Sequence, residues 1–172
     1  MDEREFDDFY TASFHRLTRQ VYAMIGDRDE AQECVQEAFA RAWAHRRKLD
    51  RAEHPEAWVR TTAYRLAVSR WRRTMRGRRP TDRALGPATH AAAPSESHVA
   101  LVGALRQIPE AQRQALVLHH IADLSVQDVA REVGVPEGTI KARLSRGRAA
   151  LAALLAEPDE PAAGGLEGAH HA

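Results

Sequence analysis

A segment without helical periodicity divides this chain of 172 residues into two parts. It runs from about Met75 to Ser97, and its prolines, glycines, alanines and threonines are typical of a linker between folded units. On either side of it, apolar residues recur at spacings of three and four, which is the period of an α-helix. The sequence therefore predicts an all-α protein of two small helical domains joined by a flexible linker.

The domain boundaries follow from this division. We place the first domain at residues 1–75, the linker at 76–97 and the second domain at 98–156, and we expect a disordered tail at 157–172. No apolar run is long enough to cross a bilayer, and the acidic N-terminus is unlike a signal peptide. The single cysteine, Cys34, excludes an internal disulfide framework and a zinc site built from several cysteines. We expect a cytoplasmic protein that holds no metal and no cofactor.

The first domain has the pattern of three or four packed helices. An apolar stripe over residues 6–25 predicts the first helix, and a glycine and an aspartate at 26–27 end it. A second stripe over 31–43 predicts the next helix, and a polar loop follows at about 46–53. A third helix is expected at about 56–73, because a proline suited to a first helical turn precedes it.

The second domain contains the signals of a helix-turn-helix. Ser125-x-x-Asp128 is a capping-box pattern at the start of a short amphipathic helix. Gly134 stands where that helix should end, and Pro136 suits the first turn of the last helix. Two short helices separated by a glycine-containing turn, the second of them basic, are typical of a helix-turn-helix that binds DNA.

The last helix has one apolar side and one side suited to DNA. At about 100° per residue, Ile140 and Leu144 define its buried side. Lys141 and Arg146 are the candidates for base contacts, because lysine and arginine are the usual readers of guanine edges in the major groove. An ordinary surface helix rich in arginine is the alternative. The candidate DNA residues of this helix are Gly138, Thr139, Lys141, Ala142, Arg143, Ser145, Arg146 and Arg148.

Positive charge is concentrated in one block of the first domain. Residues 60–79 hold eight arginines and no acid, although the net charge of the whole chain is only +1. Such a block suits a phosphate backbone, and a solvated helix face is the alternative explanation. Tyr64 and Trp71 lie among these arginines, as aromatic residues do on surfaces that bind single strands, although a packing role explains them equally well.

Several stretches of the chain resemble the extracytoplasmic-function (ECF) sigma factors of bacterial RNA polymerase. Residues 27–43 resemble the helix by which these proteins bind the core enzyme, and the chain from 55–60 onward resembles their promoter-melting helix. Residues 108–118 and 124–148 are similar to the domain that reads the −35 element. These stretches follow the order of the family, with the linker of the family between them.

The resemblance implies a sigma factor that binds RNA polymerase core, recognises the −10 and −35 promoter elements and helps to melt promoter DNA for a specific regulon. It implies no covalent chemistry, hence no enzyme, and it adds an anti-sigma protein as a further partner. The loop at 46–54 lies where the family holds an unstacked base. By the match, the residues that bind the polymerase core are Glu33, Gln36, Glu37 and Arg41. Those that face the −10 element are Arg60, Tyr64, Arg65, Arg70, Arg72 and Arg73.

Some residues depart from the family pattern. Arg65 and Ser69 stand where many members carry asparagine and aspartate, so the −10 preference is expected to differ. Cys34 replaces an aliphatic residue, and we interpret it as a small buried hydrophobe, with a redox sensor as the alternative. We interpret Trp58 as an apolar anchor rather than a base-stacking residue, since tryptophan is usually buried.

Two other classes of protein remain as hypotheses. A DNA-binding regulator that acts without the polymerase would also use a helix-turn-helix, but it has no need of a core-binding helix at 31–43. The polar face of that helix, with Gln36 and Glu37, could equally be an ordinary solvated surface. A helical enzyme is the third hypothesis, and the sequence contains no Ser/His/Asp set, glycine-rich phosphate loop or paired-carboxylate site that would support it.

Overall fold

All regular elements are helical in the part of the chain that the structure, a computed structural model, describes: residues 1–50, 53–75 and 95–156. This confirms the expected all-α fold. The N-terminal half (residues up to 75) contains α1 (Glu3–Ile25), α2 (Arg28–Ala44), α3 (Arg46–Leu49) and α4 (Pro55–Met75). The C-terminal half (95–156) contains α5 (Glu96–Arg106), α6 (Glu110–Leu116), a π-helical turn (Val117–Ile121), α7 (Val126–Val133) and α8 (Glu137–Leu155).

The C-terminal half begins slightly earlier than the sequence predicts. Ser95 is the N-cap of α5, and its hydroxyl accepts the backbone N–H of His98 at 3.3 Å. This bond satisfies one of the amides that every helix start leaves without an intrahelical partner. The first residues of α5 therefore fall inside the predicted linker. The remainder of that linker, 76–94, and the whole predicted tail, 157–172, lie outside the described residues.

Local capping signals set the ends of α1 and the start of α2. The Asp2 carboxylate accepts the N–H of Glu5, and the Glu5 carboxylate accepts the N–H of Asp2, at 2.8 and 2.7 Å. This reciprocal pair is a capping box. At the other end, Gly26 has a φ of 76°, a left-handed conformation that favours glycine. Asp27 then caps α2 by accepting the N–H of Glu30 at 3.0 Å, so the predicted break at this point is confirmed.

The predicted polar loop after α2 begins with a short helix instead. Residues Arg46–Leu49 form α3, because the His45 carbonyl accepts the N–H groups of both Lys48 and Leu49. Leu49 is buried, and this single apolar contact anchors the turn. The prediction of a loop was wrong here because one leucine among charged residues gives no periodic signal.

Three helices build the core of the N-terminal half. Leu17 and Val21 of α1, Val35 of α2 and Val59 of α4 have no exposed surface. Phe39 of α2 lies among the aromatic rings of α1, with centroids 4.9 to 6.2 Å away. Each such side chain contributes roughly 1.5–3 kcal/mol when it is withdrawn from water, so this cluster is the main stabilising element of the half.

The predicted helix-turn-helix is present in the C-terminal half. The Ser125 hydroxyl accepts the N–H of Asp128 at 3.1 Å and caps α7. Gly134 ends α7 with a φ of 77°, which fixes the direction of the turn. Pro136 is the N-cap of α8, one residue before the first helical turn in which the sequence places it. These local signals are confirmed, and they orient α8 relative to α7.

The two halves pack against each other through α1. This helix contacts α5, α6 and the π-helical turn, and the buried apolar side chains of both halves form one continuous cluster. At this boundary the side chain of Arg106 lies over Gly26, where an added Cβ would clash with the Arg106 Cδ. The described chain is therefore closed, with its helix-turn-helix resting on the N-terminal half.

Candidate nucleic-acid interface

The outward side of α8 carries the DNA residues predicted for the C-terminal half. Ile140 and Leu144 are buried, as their spacing predicts, and they fasten the helix to its own half. Gly147 lies on the same side, so close to α6 that an added Cβ would be 3.0 Å from the Leu116 Cδ1. On the opposite side, the exposed residues are Gly138, Lys141, Ser145, Arg146 and Arg148, and the half-buried ones are Thr139, Ala142 and Arg143.

The first turn of α8 is open to a close approach. An added Cβ at Gly138 would meet no atom within 4 Å, so the fold does not require glycine at this position. A major groove admits one helix, and a position without a side chain lets the backbone come nearer to the base edges. The backbone at Gly138 is therefore accessible to another molecule, such as a DNA duplex.

A histidine of the π-helical turn orients one cation of α8. The Nε of Arg148 donates a hydrogen bond to the Nε2 of His120 at 3.2 Å. Burial, and then the neighbouring His119 and Arg148, lower the pKa of His120, which favours the neutral ring that can accept this bond. The Nδ1 of His119 lies 2.7 Å from the carbonyl oxygen of Leu124, which ties the turn to the segment before α7. No local pattern in the sequence predicts this arrangement.

A second cationic surface follows α4. Arg65, Arg72 and Arg73 are exposed there, and Trp71 beside them is 60% exposed. The Arg73 guanidinium donates to the Ser69 hydroxyl at 3.2 Å, which holds it along the helix. Arginines beside an exposed aromatic ring can bind a nucleic-acid backbone and stack on an unpaired base.

Arg70 differs from these exposed arginines because it faces α2. Its Nη1 lies 3.2 Å from the Oε1 of Glu30 and 3.3 Å from the Oε2 of Glu33. The predicted polymerase-binding residues occupy the outer face of the same helix: Gln36 and Arg41 are exposed along with Glu33. Glu37 is half-buried and accepts a hydrogen bond from the Nε of Arg41 at 2.9 Å. The structure therefore brings together all four predicted residues of α2.

Arg60 is buried, unlike the other predicted −10 arginines, and only 3% of its surface is exposed. Its Nε and Nη2 donate to the two carboxylate oxygens of Glu132 at 2.8 and 2.7 Å, and its Nη1 donates to Gln20 at 3.0 Å. Glu132 belongs to α7, so this pair joins the helix-turn-helix to the N-terminal half. Glu132 is not among the residues predicted from the sequence, because no local pattern relates two residues so far apart in the chain.

Tyr64 also contacts an acid of the other half. Its hydroxyl donates to the carboxylate of Glu110, the first residue of α6. Burial, and then the contact with Glu110, raise the pKa of Tyr64, which keeps the hydroxyl protonated as the donor. Tyr64 follows Arg60 by one helical turn, so both predicted −10 residues point from the same side of α4 towards the C-terminal half.

A cleft of about 570 Å³ lies between the start of α4 and α7. His54 and Trp58 line it from one side, and Asp128 and Glu132 line it from the other. The end of the loop that is predicted to hold an unstacked base therefore faces the helix-turn-helix. Trp58 is half-buried and packs against the core cluster, as expected of an apolar anchor.

Cys34 is fully buried in α2. Its Sγ–H donates to the Glu30 carboxylate at 3.3 Å, and burial, followed by this carboxylate, raises the thiol pKa to about 12. A protonated, inaccessible thiol is unreactive, which agrees with the interpretation of a small buried hydrophobe rather than a redox sensor.

In the ranges 1–50, 53–75 and 95–156, no three histidine, cysteine or acidic side chains come together in a way that could hold a metal ion. Among the described helices, none is both long and apolar enough to cross a membrane.

A helix-turn-helix with a cationic outer side, together with a second arginine-rich helix, defines a DNA-binding protein. Residues 9–77 match the family described as Sigma-70 region 2, and residues 98–151 match Sigma-70, region 4. The chain is 30% identical over 151 residues to the ECF RNA polymerase sigma factor EcfG of Rhodopseudomonas palustris, a match that covers 86% of this chain and 83% of that protein. It therefore belongs to the ECF sigma factor family, whose members serve transcription initiation by RNA polymerase.

Two further similarities agree with this assignment. The chain is 28% identical over 169 residues to the RNA polymerase sigma-H factor of Pseudomonas aeruginosa, covering 87% of this chain and 86% of that protein. Its fold is similar to the solved structure of the sigma factor RpoE in complex with the anti-sigma factor NepR from Bartonella quintana. That comparison has a TM-score of 0.72 and 25% identity, and covers 88% of this chain and 97% of the other.

Proposed function

We propose that this chain binds RNA polymerase core through α2 and directs it to promoters whose −35 element is read by α8 and whose −10 element is bound by α4. The functional units of this proposal are a first domain at residues 1–75 and a second at 98–156. The observation that carries it is the division of α8 into a buried side, with Ile140 and Leu144, and a solvent-facing side with four cations.

The −35 element would be read as duplex DNA. Lys141 and Arg146 are placed for base edges because they lie on the exposed side of α8, while Arg143 and Arg148 flank them and suit phosphates. The hydrogen bond from Arg148 to His120 supports a fixed position for one of the phosphate contacts. Such contacts set the register of the helix, and the base contacts then provide specificity.

The −10 element would be bound as a melted strand. The exposed Arg65, Arg72 and Arg73 of α4 suit its phosphates, and the exposed ring of Trp71 offers a stacking surface. Holding an unstacked base costs a few kcal/mol, which stacking and pocket contacts must offset. Because Arg65 and Ser69 differ from the residues common in the family, we propose that the −10 preference differs as well.

The polymerase-binding face would be the outer side of α2. Glu33, Gln36 and Arg41 are exposed, and Glu37 is held by Arg41, so a partner can contact all four without disturbing the core. We also propose an anti-sigma protein as a regulatory partner and the cytoplasm as the location. The similarity to a sigma factor solved with its anti-sigma factor supports the first of these.

Run-off transcription with bacterial core polymerase and a pool of genomic promoter fragments tests the proposal. We expect discrete transcripts that require this protein, and their start sites define both promoter elements. The combined variant Gln36→Ala, Glu37→Ala and Arg41→Ala should lose core binding and transcription while it retains binding of the −35 duplex. A matched control, Asp8→Ala, Thr11→Ala and Arg19→Ala, removes the same charges from exposed positions of α1.

Two outcomes would contradict the proposal. Core affinity that is unchanged in the α2 variant would remove the assigned polymerase face. Absence of transcripts together with specific duplex binding would favour a DNA-binding regulator that acts without the polymerase.

A further inference from the structure

The contact between Arg60 and Glu132 occupies a guanidinium that the family resemblance assigns to the −10 element. All three nitrogens of the Arg60 guanidinium donate hydrogen bonds. Two of these bonds go to Glu132 and one goes to Gln20. A carboxylate in this bidentate arrangement presents two oxygens to the guanidinium as a phosphate does. Glu132 and a DNA phosphate therefore compete for the same donors.

A second contact closes the same face of α4 one turn further along. The Tyr64 hydroxyl donates to the carboxylate of Glu110. The Thr61 hydroxyl lies 3.4 Å from the Oε1 of Glu132. Both acids come from the C-terminal half, whereas Gln20 belongs to α1 of the N-terminal half. Separation of the halves would remove both acids and leave Arg60 in place, still held by Gln20.

The dimensions of a promoter require such a separation. Elements centred about 25 base pairs apart lie about 85 Å apart along duplex DNA, at about 3.4 Å per base pair. A compact chain of 172 residues has a radius of gyration of about 16 Å and is therefore about 40 Å across. The closed arrangement of the described chain cannot place α4 and α8 on both elements at once.

We propose that Glu132 acts as an internal substitute for a DNA phosphate, and that its pair with Arg60, assisted by Glu110 and Tyr64, holds the free chain in a closed form in which Arg60 cannot contact the −10 element. The pair is nearly buried, with 4% and 9% of the two side chains exposed, so added salt screens it weakly and a partner must displace α7 to open it. This inference rests on the proposed function only for the identity of the competing ligand.

Small-angle X-ray scattering of the free, full-length chain tests the closure. Glu132→Gln removes the charge and keeps the shape of the side chain, and Glu96→Gln makes the same charge change at an exposed position of the same half. We expect the radius of gyration of the Glu132 variant to rise by at least about 3 Å, whereas the Glu96 control keeps the wild-type value near that of a compact chain.

Glu110→Gln provides a second variant whose folding is not in question. Glu110 is exposed, and glutamine removes its charge while it keeps an oxygen that can accept the Tyr64 hydroxyl. We expect partial opening with this variant and full opening when it is combined with Glu132→Gln, with unchanged helical circular dichroism. A wild-type radius of gyration in both single variants would overturn the proposal.

Binding of a thymidine oligonucleotide, about 20 nucleotides long, tests the phosphate substitution. We expect the Glu132 variant to bind about threefold more tightly than the Glu96 control, because the open chain adds Arg60 to the exposed arginines of α4 that contact the phosphates. A Glu132 variant that is open in solution but binds the oligonucleotide no more tightly than the control would overturn the phosphate substitution. Failure of the proposed function is distinguishable, since it would abolish run-off transcription in every form of the protein and leave the scattering result intact.

Discussion

The Nη1 of Arg70 in α4 lies between the carboxylates of Glu30 and Glu33 in α2, at 3.2 and 3.3 Å. This relationship links a residue assigned to the −10 element with a residue assigned to the polymerase core. A polymerase that contacts Glu33 would therefore remove one of these two ion pairs of Arg70 and shift its side chain. The ion pair between Arg70 and Glu30 would remain. We therefore expect binding of the core and presentation of α4 to DNA to be coupled through this guanidinium.

Replacement of Glu33 should separate its binding role from its structural role. Because both partners of its ion pair are partly exposed, we expect Glu33→Gln to lower the free energy of unfolding by less than about 1 kcal/mol. Core affinity should fall clearly in the same variant. Urea unfolding and a core-binding assay measure the two quantities. Glu30→Gln is the matched variant, and it should cost more stability because that carboxylate also accepts the Cys34 thiol.

Cations of α8 should divide into base-reading and phosphate-binding residues. We expect Arg146→Ala to cost about 1–3 kcal/mol of −35 duplex binding and to relax specificity at one base pair. Arg143→Ala should weaken binding equally on all sequences and reduce the slope of log affinity against log salt by about 1. Fluorescence anisotropy over a salt series measures both. Equal salt slopes and equal specificity in the two variants would contradict this assignment.

The two glycines of α8 should respond in opposite ways to alanine. Gly138→Ala places a methyl group in open space, so stability should rise by up to about 1 kcal/mol while DNA affinity falls. Gly147→Ala places a Cβ 3.0 Å from Leu116, and the resulting strain of about 1–3 kcal/mol should outweigh the gain in helix propensity. Denaturant unfolding compares them directly. A destabilised Gly138 variant would contradict the open space that the structure shows around this position.

Cys34 should be unreactive in the folded chain up to alkaline pH. Its thiol pKa is raised to about 12 from an ordinary 9.0, so the folded state binds this proton more tightly than the unfolded state does. The associated stability is complete below about pH 9 and is lost as the pH rises towards about 12. We expect negligible alkylation by iodoacetamide at about pH 8 in the folded protein and rapid alkylation in urea. Equal rates in the two states would contradict the burial of this thiol.

Local signals made the helix ends predictable. Gly26 and Gly134 both have a positive φ, and Asp27 and Ser125 both accept backbone N–H groups at helix starts. Each of these positions depends on residues within a few places along the chain, so the sequence alone contained the information. The buried side of α8 was predictable for the same reason, since helical spacing defines a face.

Contacts between the halves could not be predicted in this way. The pair of Arg60 and Glu132 depends on how α4 and α7 meet, and nothing near either residue specifies the other. The π-helical turn Val117–Ile121 and the anchoring of α3 by Leu49 likewise arise from packing. The exposed side of α8 was thus predictable from the sequence, whereas the packing that buries Arg60 was not.

Gly26 serves two separate purposes at one position. Its left-handed backbone ends α1, and its missing side chain leaves the space that the Arg106 side chain fills. A larger residue there would strain the turn and also force Arg106 away from α1. The same substitution would therefore loosen the packing of α5 against α1, and a mutation far from every proposed DNA contact would alter how readily the chain opens.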